Sequence, residues 1–514
     1  MKKNQLFVSL LVAGLCISSP ALAQDVVQMS TSKAEGATLT LKFNQLPKGI
    51  SVDWGDGNVQ NYSATDDEYL TVEGTVMGET ITVSSPSRIH TMFCENSQLT
   101  ALDLSGAASL YSLYCQNNEL TALDLSACPK LTDLNCANNS IKTLVLSEKN
   151  NPELQNVNVS GNSLKSNVKG GSSFSLTCPE LQYLNVAGNV ITTISFGANN
   201  AGLDVLKCSD NSIKTLNLVN IDDLSVLMCG NNSISSFTVN GETGLPELKQ
   251  VFAENNKIAK MNLSLSAELK YLSVANNALT LMQLPAKKKL DAISCGNNSL
   301  TFASLPTSAY KPDNFSYLPQ TTEIDVKSKL TKGKDGVYYA KLCPSYADRN
   351  NETYMADFTD WAFDSNNQRN TFTYFGKNEN DAEYSTLTKA SSSNKEGDYY
   401  TPTSAATFGK FNFLQQHDQV YFEVTNASYP DLTYTSTVFR VGEVASAIEN
   451  VTTVSEALQV VPGQGMLLIS GNGQQVGVWS TDGKLLWKGR VNAEGHSINL
   501  PAGVYIVNGK KVAL

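Results

Sequence analysis

The stretch LYSLYCQNNELTALDLSACPK, residues 110–130, decides the fold of this chain. Leucine occupies its first, fourth and eleventh positions, cysteine the sixth and asparagine the ninth. The same register restarts at Leu131 with LTDLNCANNSIKTLVLS. A unit this short has room for one strand and a tight return path, so neither half buries an apolar face until the next unit stacks on it. The sequence therefore predicts a solenoid.

Ten units fit this template, which is a leucine-rich repeat pattern. They start at Ile89, Leu110, Leu131, Leu154, Leu181, Leu203, Leu224, Leu248, Leu269 and Leu290. We expect the leucines at the first, fourth and eleventh positions to point inward. Each of them contributes about 1.5 to 3 kcal/mol to stability when it is fully buried.

The ninth position of the repeat is a ladder of asparagines. It holds Asn118, Asn139, Asn162, Asn189, Asn211, Asn232, Asn256, Asn277 and Asn298, with Ser97 in the first unit. An inward-turned amide satisfies backbone groups that the bend after the strand removes from sheet pairing, and leaving such groups unpaired costs about 1 to 3 kcal/mol each. We therefore interpret this ladder as structural.

The sixth position alternates between cysteine and small apolar residues. It holds Cys94, Cys115, Cys136, Cys208, Cys229 and Cys295, with Val159, Val186, Ala253 and Val274 in the other units. Free cysteine behaves as a small hydrophobe, and no histidine accompanies the row, so core packing explains it better than metal binding. The sequence leaves the redox state of Cys128, Cys178 and Cys343 open.

The run LYCQNNELTALDLSACPKLTDLNCANNS resembles the internalin-like, cysteine-ladder leucine-rich repeats of bacterial surface proteins. The resemblance covers residues 89–305. It implies a leucine-rich repeat solenoid that binds a protein or glycan partner, and it does not fix the ligand.

The segments before the repeats read as an export signal and a cap. Residues 1–23 combine two lysines, an apolar segment and Ala21-Leu22-Ala23, which is typical of a secretory signal peptide. Residues 24–88 contain alternating runs such as ATLTLKF and TITVSS, which predict an N-terminal β cap. No later stretch is apolar enough to span a bilayer. The net charge of −10 disfavours nucleic acid as a partner.

After residue 305 the repeat register is lost and the composition changes. Strand-like runs over residues 306–442 predict an immunoglobulin-like β-sandwich, with Phe411, Phe413, Tyr421 and Phe439 as core candidates. Residues 443–460 read as a linker, and 461–514 as a small C-terminal β domain. The predicted fold class is therefore mainly β: a parallel-sheet solenoid of about ten repeats with an N-terminal cap and two further β domains.

The end of the chain, VGVWSTDGKLLWKG followed by INLPAGVYIVNGKKVAL, resembles the C-terminal sorting domain of the Bacteroidetes type IX secretion route. The resemblance implies passage across the outer membrane, followed in many members by tail removal and attachment to surface lipopolysaccharide. An ordinary β module is the alternative. The sequence does not say whether the tail is cleaved.

The residue types needed for catalysis are sparse. The three histidines, His90, His417 and His496, fall in three different predicted units. The chain shows no phosphate-binding glycine loop, zinc-type pairing or nucleophile elbow. We therefore expect a protein that is not an enzyme and needs no cofactor or metal.

The exposed face of the predicted parallel sheet is the candidate binding surface, because positions three, five, seven and eight of each repeat point outward. Two groups of apolar and aromatic residues fall there: an apolar patch of Val205, Val226, Met228, Phe252 and Tyr271, and an aromatic patch of Phe93 and Tyr114. Exposed patches of this kind mark partner surfaces. The alternative is that these side chains pack on each other or on an insertion.

These observations favour a secreted or cell-surface, adhesin-like protein whose repeat face recognises a protein or glycan, such as a host matrix protein or a neighbouring cell. A surface-assembly component in which the solenoid is a spacer is the second hypothesis. Polysaccharide capture or degradation is the third.

Overall fold

The structure is a computed structural model. It describes residues 24–513 apart from 45, 47, 64–67, 166–173, 240–243, 287, 307–309, 334, 392–395, 405, 443–457, 464, 472, 493 and 509. The predicted signal peptide and residues 443–457 of the predicted linker lie outside the described residues. The chain divides into two compact units. The first runs to Thr321 and includes Asp364–Gln368, and the second comprises Thr322–Phe363 and Arg369–Leu514.

The first unit begins with eight strands, six in the predicted cap and two in the first repeat. They are β1 (Asp25–Thr31), β2 (Thr38–Asn44), β3 (Ile50–Asp53), β4 (Val59–Tyr62), β5 (Tyr69–Thr75), β6 (Ile81–Ser85), β7 (Thr91–Phe93) and β8 (Leu99–Gly106). One sheet has the order β4-β3-β6-β1-β8, while β2 pairs antiparallel with both β7 and β5 and so extends the solenoid sheet by two strands. Trp54 is fully buried in this cap, and its Nε1 donates to the Tyr62 hydroxyl at 3.0 Å.

The solenoid strands follow in chain order. They are β9 (Ser112–Tyr114), β10 (Asp133–Asn135), β11 (Asn156–Asn158), β12 (Phe174–Leu176), β13 (Tyr183–Asn185), β14 (Ile194–Phe196), β15 (Val205–Lys207), β16 (Thr215–Asn217), β17 (Val226–Met228), β18 (Ser236–Thr238), β19 (Gln250–Phe252), β20 (Lys260–Asn262), β21 (Tyr271–Ser273), β22 (Leu281–Gln283), β23 (Ala292–Ser294) and β24 (Asn314–Ser316). A 13-stranded sheet contains the odd-numbered members, together with β10, β24, the first-repeat strand β7 and the cap strands β2 and β5. The predicted mainly β, parallel-sheet solenoid is confirmed.

Each main-sheet strand of the solenoid corresponds to positions three, four and five of a repeat. The middle residue is buried, as Leu227 is in β17, and its two neighbours are more exposed. Neighbouring strands pair in register, so Leu206, Leu227 and Val251 lie side by side. On the return path of the coil, β12 pairs with β14, β16 with β18, and β20 with β22, so three parallel sheets of two strands each form there.

The main sheet continues one strand beyond the ten template units. Strand β24 pairs in parallel with β23, and Gln320 takes the place that asparagine holds in the other coils. Its Oε1 accepts from the backbone N–H of Leu300 at 2.9 Å, and its Nε2 donates to the carbonyl of Cys295 at 2.9 Å. The template missed this coil because Pro312, Phe315, Tyr317 and Gln320 replace the residues typical of positions one, four, six and nine.

The asparagine ladder joins each coil to the one before it. Asn118 Oδ1 accepts from the backbone N–H of Leu99 at 2.9 Å, and its Nδ2 donates to the carbonyls of Cys94 at 2.9 Å and Cys115 at 3.0 Å. The ladder residues from Asn139 to Asn298 repeat this arrangement. Each amide therefore satisfies backbone groups on two coils.

The cysteines of the described chain are buried free thiols, including Cys128, Cys178 and Cys343. Burial raises the pKa of the Cys136 thiol to about 12 and has the same effect on Cys208. These thiols therefore pack as neutral hydrophobes.

The second unit contains a β-sandwich built from β25 (Glu323–Ile324), β26 (Thr331–Lys332), β27 (Tyr338–Ala340), β28 (Ala356–Asp357), β29 (Thr371–Lys377), β30 (Ser385–Thr386), β31 (Tyr399–Tyr400), β32 (Lys410–Phe413), β33 (His417–Thr425), β34 (Thr433–Ser436) and β35 (Phe439–Val441). Short 3-10 turns lie at Lys327–Lys329, Tyr346–Asp348, Glu352–Tyr354 and Thr359–Trp361. One sheet has the backbone order β25-β34-β33-β35-β27-β26, with β29 and β30 joined to β33, and the other has the order β28-β32-β31.

Aromatic side chains fill the space between these sheets. Phe358 lies 4.7 Å from Phe422, and Tyr374 lies 4.8 Å from Phe411, between ring centroids. The core candidates Phe411, Phe413 and Phe439 are buried. The prediction for Tyr421 is wrong: strand alternation turns Phe422 inward and Tyr421 to the outer face, where it stacks on Phe375 at 4.9 Å.

The last strands form a small β domain. They are β36 (Gln459–Gly463), β37 (Met466–Ser470), β38 (Gln475–Ser480), β39 (Leu485–Arg490), β40 (His496–Asn499), β41 (Val504–Val507) and β42 (Lys510–Ala513). Its two sheets, β36-β37-β40 and β39-β38-β41-β42, enclose a core that includes Leu467, Ile469, Val476, Val478 and Val507. No helix in the described part of the chain is long and apolar enough to cross a bilayer.

Candidate binding face

The apolar patch lies on four consecutive strands of the main sheet, β15, β17, β19 and β21. Val205 is directly opposite Val226, and Met228 is directly opposite Phe252. Tyr271 is opposite Gln250 rather than Phe252, so it meets the patch diagonally. The pairing therefore brings the five residues together on one face, with Gln250 inserted between Val226 and Tyr271.

Tyr271 is the most exposed member of the apolar patch, with 40% of its surface accessible, while the other four are half-buried. Hydrogen bonding to Asp291 and the negative charge of that carboxylate raise the pKa of the tyrosine. The ring is therefore a neutral aromatic surface, the kind of side chain that anchors protein interfaces.

The aromatic patch is larger than the repeat pattern indicates, because the cap contributes to it. Phe93 and Tyr114 stack at 4.7 Å with an angle of 6° between their planes. Tyr69 packs edge-on against Phe93 at 5.5 Å, and the Lys42 ammonium lies 4.4 Å from the centre of the Tyr69 ring. Sequence analysis missed Tyr69 and Lys42 because only the pairing of β2 with β7 carries the cap onto this face.

Between the two patches the face is polar. Position five holds Asn135, Asn158 and Asn185 on the adjacent strands β10, β11 and β13. On position three of the same coils, Asn156 Nδ2 donates to Asp133 Oδ1 at 2.8 Å. The repeat pattern places these residues on the outward face, and sequence analysis assigned none of them a role.

A second asparagine ladder runs along the exposed edge at position eight. Its members share a positive φ: Asn96, Asn117, Asn138, Asp210, Asn231, Asn255, Asn276 and Asn297. Most of them bond to the side chain of the previous coil, as Asn255 Nδ2 does to Asn231 Oδ1 at 2.7 Å. Asparagine tolerates this left-handed conformation, so the repeated Asn-Asn dipeptide was the available signal.

The three histidines occupy separate structural roles. His90 packs edge-on against Tyr111, His496 stacks on Trp487, and His417 Nε2 lies 3.2 Å from Asp398 Oδ1. Among the described residues, no cluster of three or more histidine, cysteine or acidic side chains is arranged to hold a metal ion.

No protein-family model matches this chain, and no curated protein matches it. Solved structures similar to it include the functional domain of InlJ from Listeria monocytogenes, which includes a cysteine ladder, at 17% identity over 71% of this chain and 93% of that one, with a TM-score of 0.27. Listeria monocytogenes InlP matches at 14% identity over 66% and 83% of the two chains, with a TM-score of 0.32. The leucine-rich repeat domain of LRIM1 matches at 21% identity over 39% and 63%, also at 0.32. Scores this low carry no argument about function.

Proposed function

We propose that this chain is a secreted or cell-surface, adhesin-like binding protein, and that the apolar patch is the surface that binds a protein partner. The observation that carries the proposal is the grouping of Val205, Val226, Met228, Phe252 and Tyr271 on one open face. The side chains at position four and the other inward positions fill the core of each coil. The fold therefore does not require apolar side chains at positions three and five.

The chemistry of the patch favours a protein with an apolar surface of its own. Phe252 and Tyr271 lie near its centre and its edge, and aromatic side chains carry a large share of interface energy when a partner covers them. Lys207, beside Met228, adds a polar group at the border of the patch, and Gln250, between Val226 and Tyr271, adds one inside it. A protein of the host matrix or of a neighbouring cell is the class of partner that we propose.

The proposed location rests on the two ends of the chain. A leader like residues 1–23 directs export, and a tail that resembles a type IX sorting domain implies transfer across the outer membrane of a Bacteroidetes cell. The tail has its own core, with Leu467 and Val507 fully buried, as an independently recognised domain requires. Cleavage of the tail and attachment to lipopolysaccharide would then hold the protein at the surface, and no enzymatic activity is part of this proposal.

The test compares the full chain with a variant that carries Phe252→Ala and Tyr271→Ala. Surface plasmon resonance against immobilised fibronectin, laminin, fibrinogen and collagen measures the affinity of each. Ser294→Ala, at position five of a coil outside the patch, is the matched control. We expect the double variant to lose at least tenfold in affinity for the bound protein, about 1.4 kcal/mol, with unchanged circular dichroism.

Equal binding by the double variant would remove the patch from the proposal. Absence of binding to every protein on the panel would favour the spacer hypothesis. That alternative has one observation in its favour, since the sheet from β7 to β24 is unbroken and each coil contacts its neighbours.

A further inference from the structure

The polar strip between the two patches contains hydrogen-bond donors that the fold does not use. Asn135, Asn158 and Asn185 each turn Oδ1 back to the backbone N–H two residues further on, at 3.2, 3.3 and 3.1 Å. Among the residues that the structure describes, none accepts a hydrogen bond from the three Nδ2 atoms. The backbone contact therefore fixes the orientation of each amide and leaves its two N–H donors on the outward face.

The fold itself does not demand asparagine at these places. Position five is Tyr114 in the preceding coil, Lys207 in the following coil, and serine at Ser273 and Ser294. These coils form the same strand and turn. The hydrogen bond that each Oδ1 accepts therefore does not explain why three consecutive coils present side-chain N–H donors at position five.

The exposed edge opens beside the same coils. The ladder at position eight is interrupted only by Gly161 and Gly188, which keep the positive φ of the ladder, at 63° and 65°, but carry no side chain. The residues at position seven are also small, with Ala137, Ser160 and Ala187 in the three coils. Asn138 lies at the border of this opening, and among the described residues no hydrogen-bond donor reaches its Oδ1. The strip therefore offers a row of free donors beside a free acceptor, with little side-chain bulk above it.

From this arrangement we infer that the strip is a second binding site, for an extended, neutral, β-1,4-linked glycan. A sugar hydroxyl both donates and accepts, so it matches amide N–H groups next to an amide oxygen. Strands repeat about every 4.8 Å across the sheet, close to the advance of one sugar unit in such a polymer, so successive amides meet successive sugars. Tyr114 limits the strip at one end, and Lys207, whose ammonium lies 5.3 Å from the centre of the Tyr183 ring, limits it at the other.

This site is separate from the apolar patch and does not depend on it. The apolar patch begins at Val205, on the strand after Asn185, and has no row of free donors. A protein partner on the apolar patch and a glycan on the strip are therefore distinguishable by mutation.

The experiment titrates the full chain with cellohexaose and with chitohexaose in a calorimeter. The first variant, Asn158→Ser with Asn185→Ser, removes four amide donors and introduces the residue that Ser273 and Ser294 already supply at this position. The second, Gly188→Asn, restores the position-eight side chain and covers the opening. An added Cβ at Gly188 has no neighbour closer than 3.4 Å, and asparagine adopts this φ in the other coils, so we expect this variant to fold.

We expect the parent chain to bind at least one of the two oligosaccharides and both variants to lose affinity by tenfold or more. Ser294→Ala, and the double variant Phe252→Ala with Tyr271→Ala, should bind the sugar as the parent does. If only one oligosaccharide binds, the result shows whether the strip recognises the hydroxyl groups of cellohexaose or the acetamido groups of chitohexaose. The inference is overturned if the parent binds neither sugar at millimolar concentration, if Asn158→Ser with Asn185→Ser leaves binding unchanged, or if the Phe252 and Tyr271 variant abolishes it.

Discussion

Replacing one buried asparagine of the inner ladder should destabilise the solenoid far more than replacing its exposed neighbour in sequence. Asn139 is 9% exposed, and its Oδ1 accepts from the backbone N–H of Leu120 at 2.9 Å. Its Nδ2 donates to the carbonyls of Cys115 and Cys136, both at 3.1 Å. Asn139→Ala removes these three hydrogen bonds and a longer fourth one, from Nδ2 to the carbonyl of Ala137 at 3.3 Å.

The magnitude depends on which backbone groups keep another partner. The Cys115 carbonyl still accepts from Asn118, and the Cys136 carbonyl still accepts from Asn162, each at 3.0 Å. The Leu120 N–H loses its side-chain acceptor, which costs about 1 to 3 kcal/mol for a buried donor. With the two weakened carbonyl contacts, at roughly 0.5 kcal/mol each, we expect a loss of about 2 to 4 kcal/mol.

Asn138→Gly is the matched control, because Asn138 is exposed and its φ of 55° suits glycine. It loses one solvent-exposed bond, from Nδ2 to Asn117 Oδ1 at 2.8 Å, and should cost no more than about 1 kcal/mol. Urea unfolding followed by circular dichroism measures both variants, and hydrogen exchange read by mass spectrometry reports the protection of the Leu120 amide. Equal stability of the two variants, or an unchanged Leu120 amide in Asn139→Ala, would refute this account of the ladder.

Two further predictions concern the core. Leu227→Ala removes a side chain that is 2% exposed and should lower the free energy of unfolding by about 2 to 5 kcal/mol; a loss below about 1 kcal/mol in the same urea assay would mean that the coil collapses around the cavity. Burial raises the pKa of the Cys136 thiol to about 12, whereas an unfolded thiol ionises near pH 8.5. The stability that this neutral thiol contributes is therefore present below about pH 8.5 and lost as the pH rises toward 12. Cys136→Val, which introduces the residue that Val159 supplies in the next coil, should flatten that decline, and an identical pH profile in parent and variant would contradict it.

The regular part of the fold was predictable because the same positions of each repeat make the same contacts with the neighbouring coils. Leu110, Leu113 and Leu120 are fully buried as the template requires, since the same three positions face inward in every stacked coil. The asparagine contacts also lie between adjacent coils, so a short sequence period determines them. The template did not predict the role of Gln320, because this side chain differs from asparagine and still reaches the same backbone groups.

The strip and the cap contribution were not predictable in the same way. The pattern identifies Asn158 as outward-facing. Only the structure shows that its Oδ1 accepts a hydrogen bond from a backbone N–H, while its Nδ2 donates to none of the described residues. Tyr421 was misassigned because alternation within β33 fits either face until the partner sheet is placed.

The sequence by itself determined the solenoid, its inward leucines and asparagines, and the row in which each outward residue lies. These features depend on contacts between neighbouring repeats, which a local period specifies. Tertiary structure alone decided which outward side chains meet and which donors stay free. Lys42 and Tyr69 join Phe93 through the pairing of the cap with the first coil, and Gly161 and Gly188 open the edge beside Asn158 and Asn185. The first grouping joins residues far apart in the chain, and the second depends on how the side chains of stacked coils are arranged, so both follow from the packed structure.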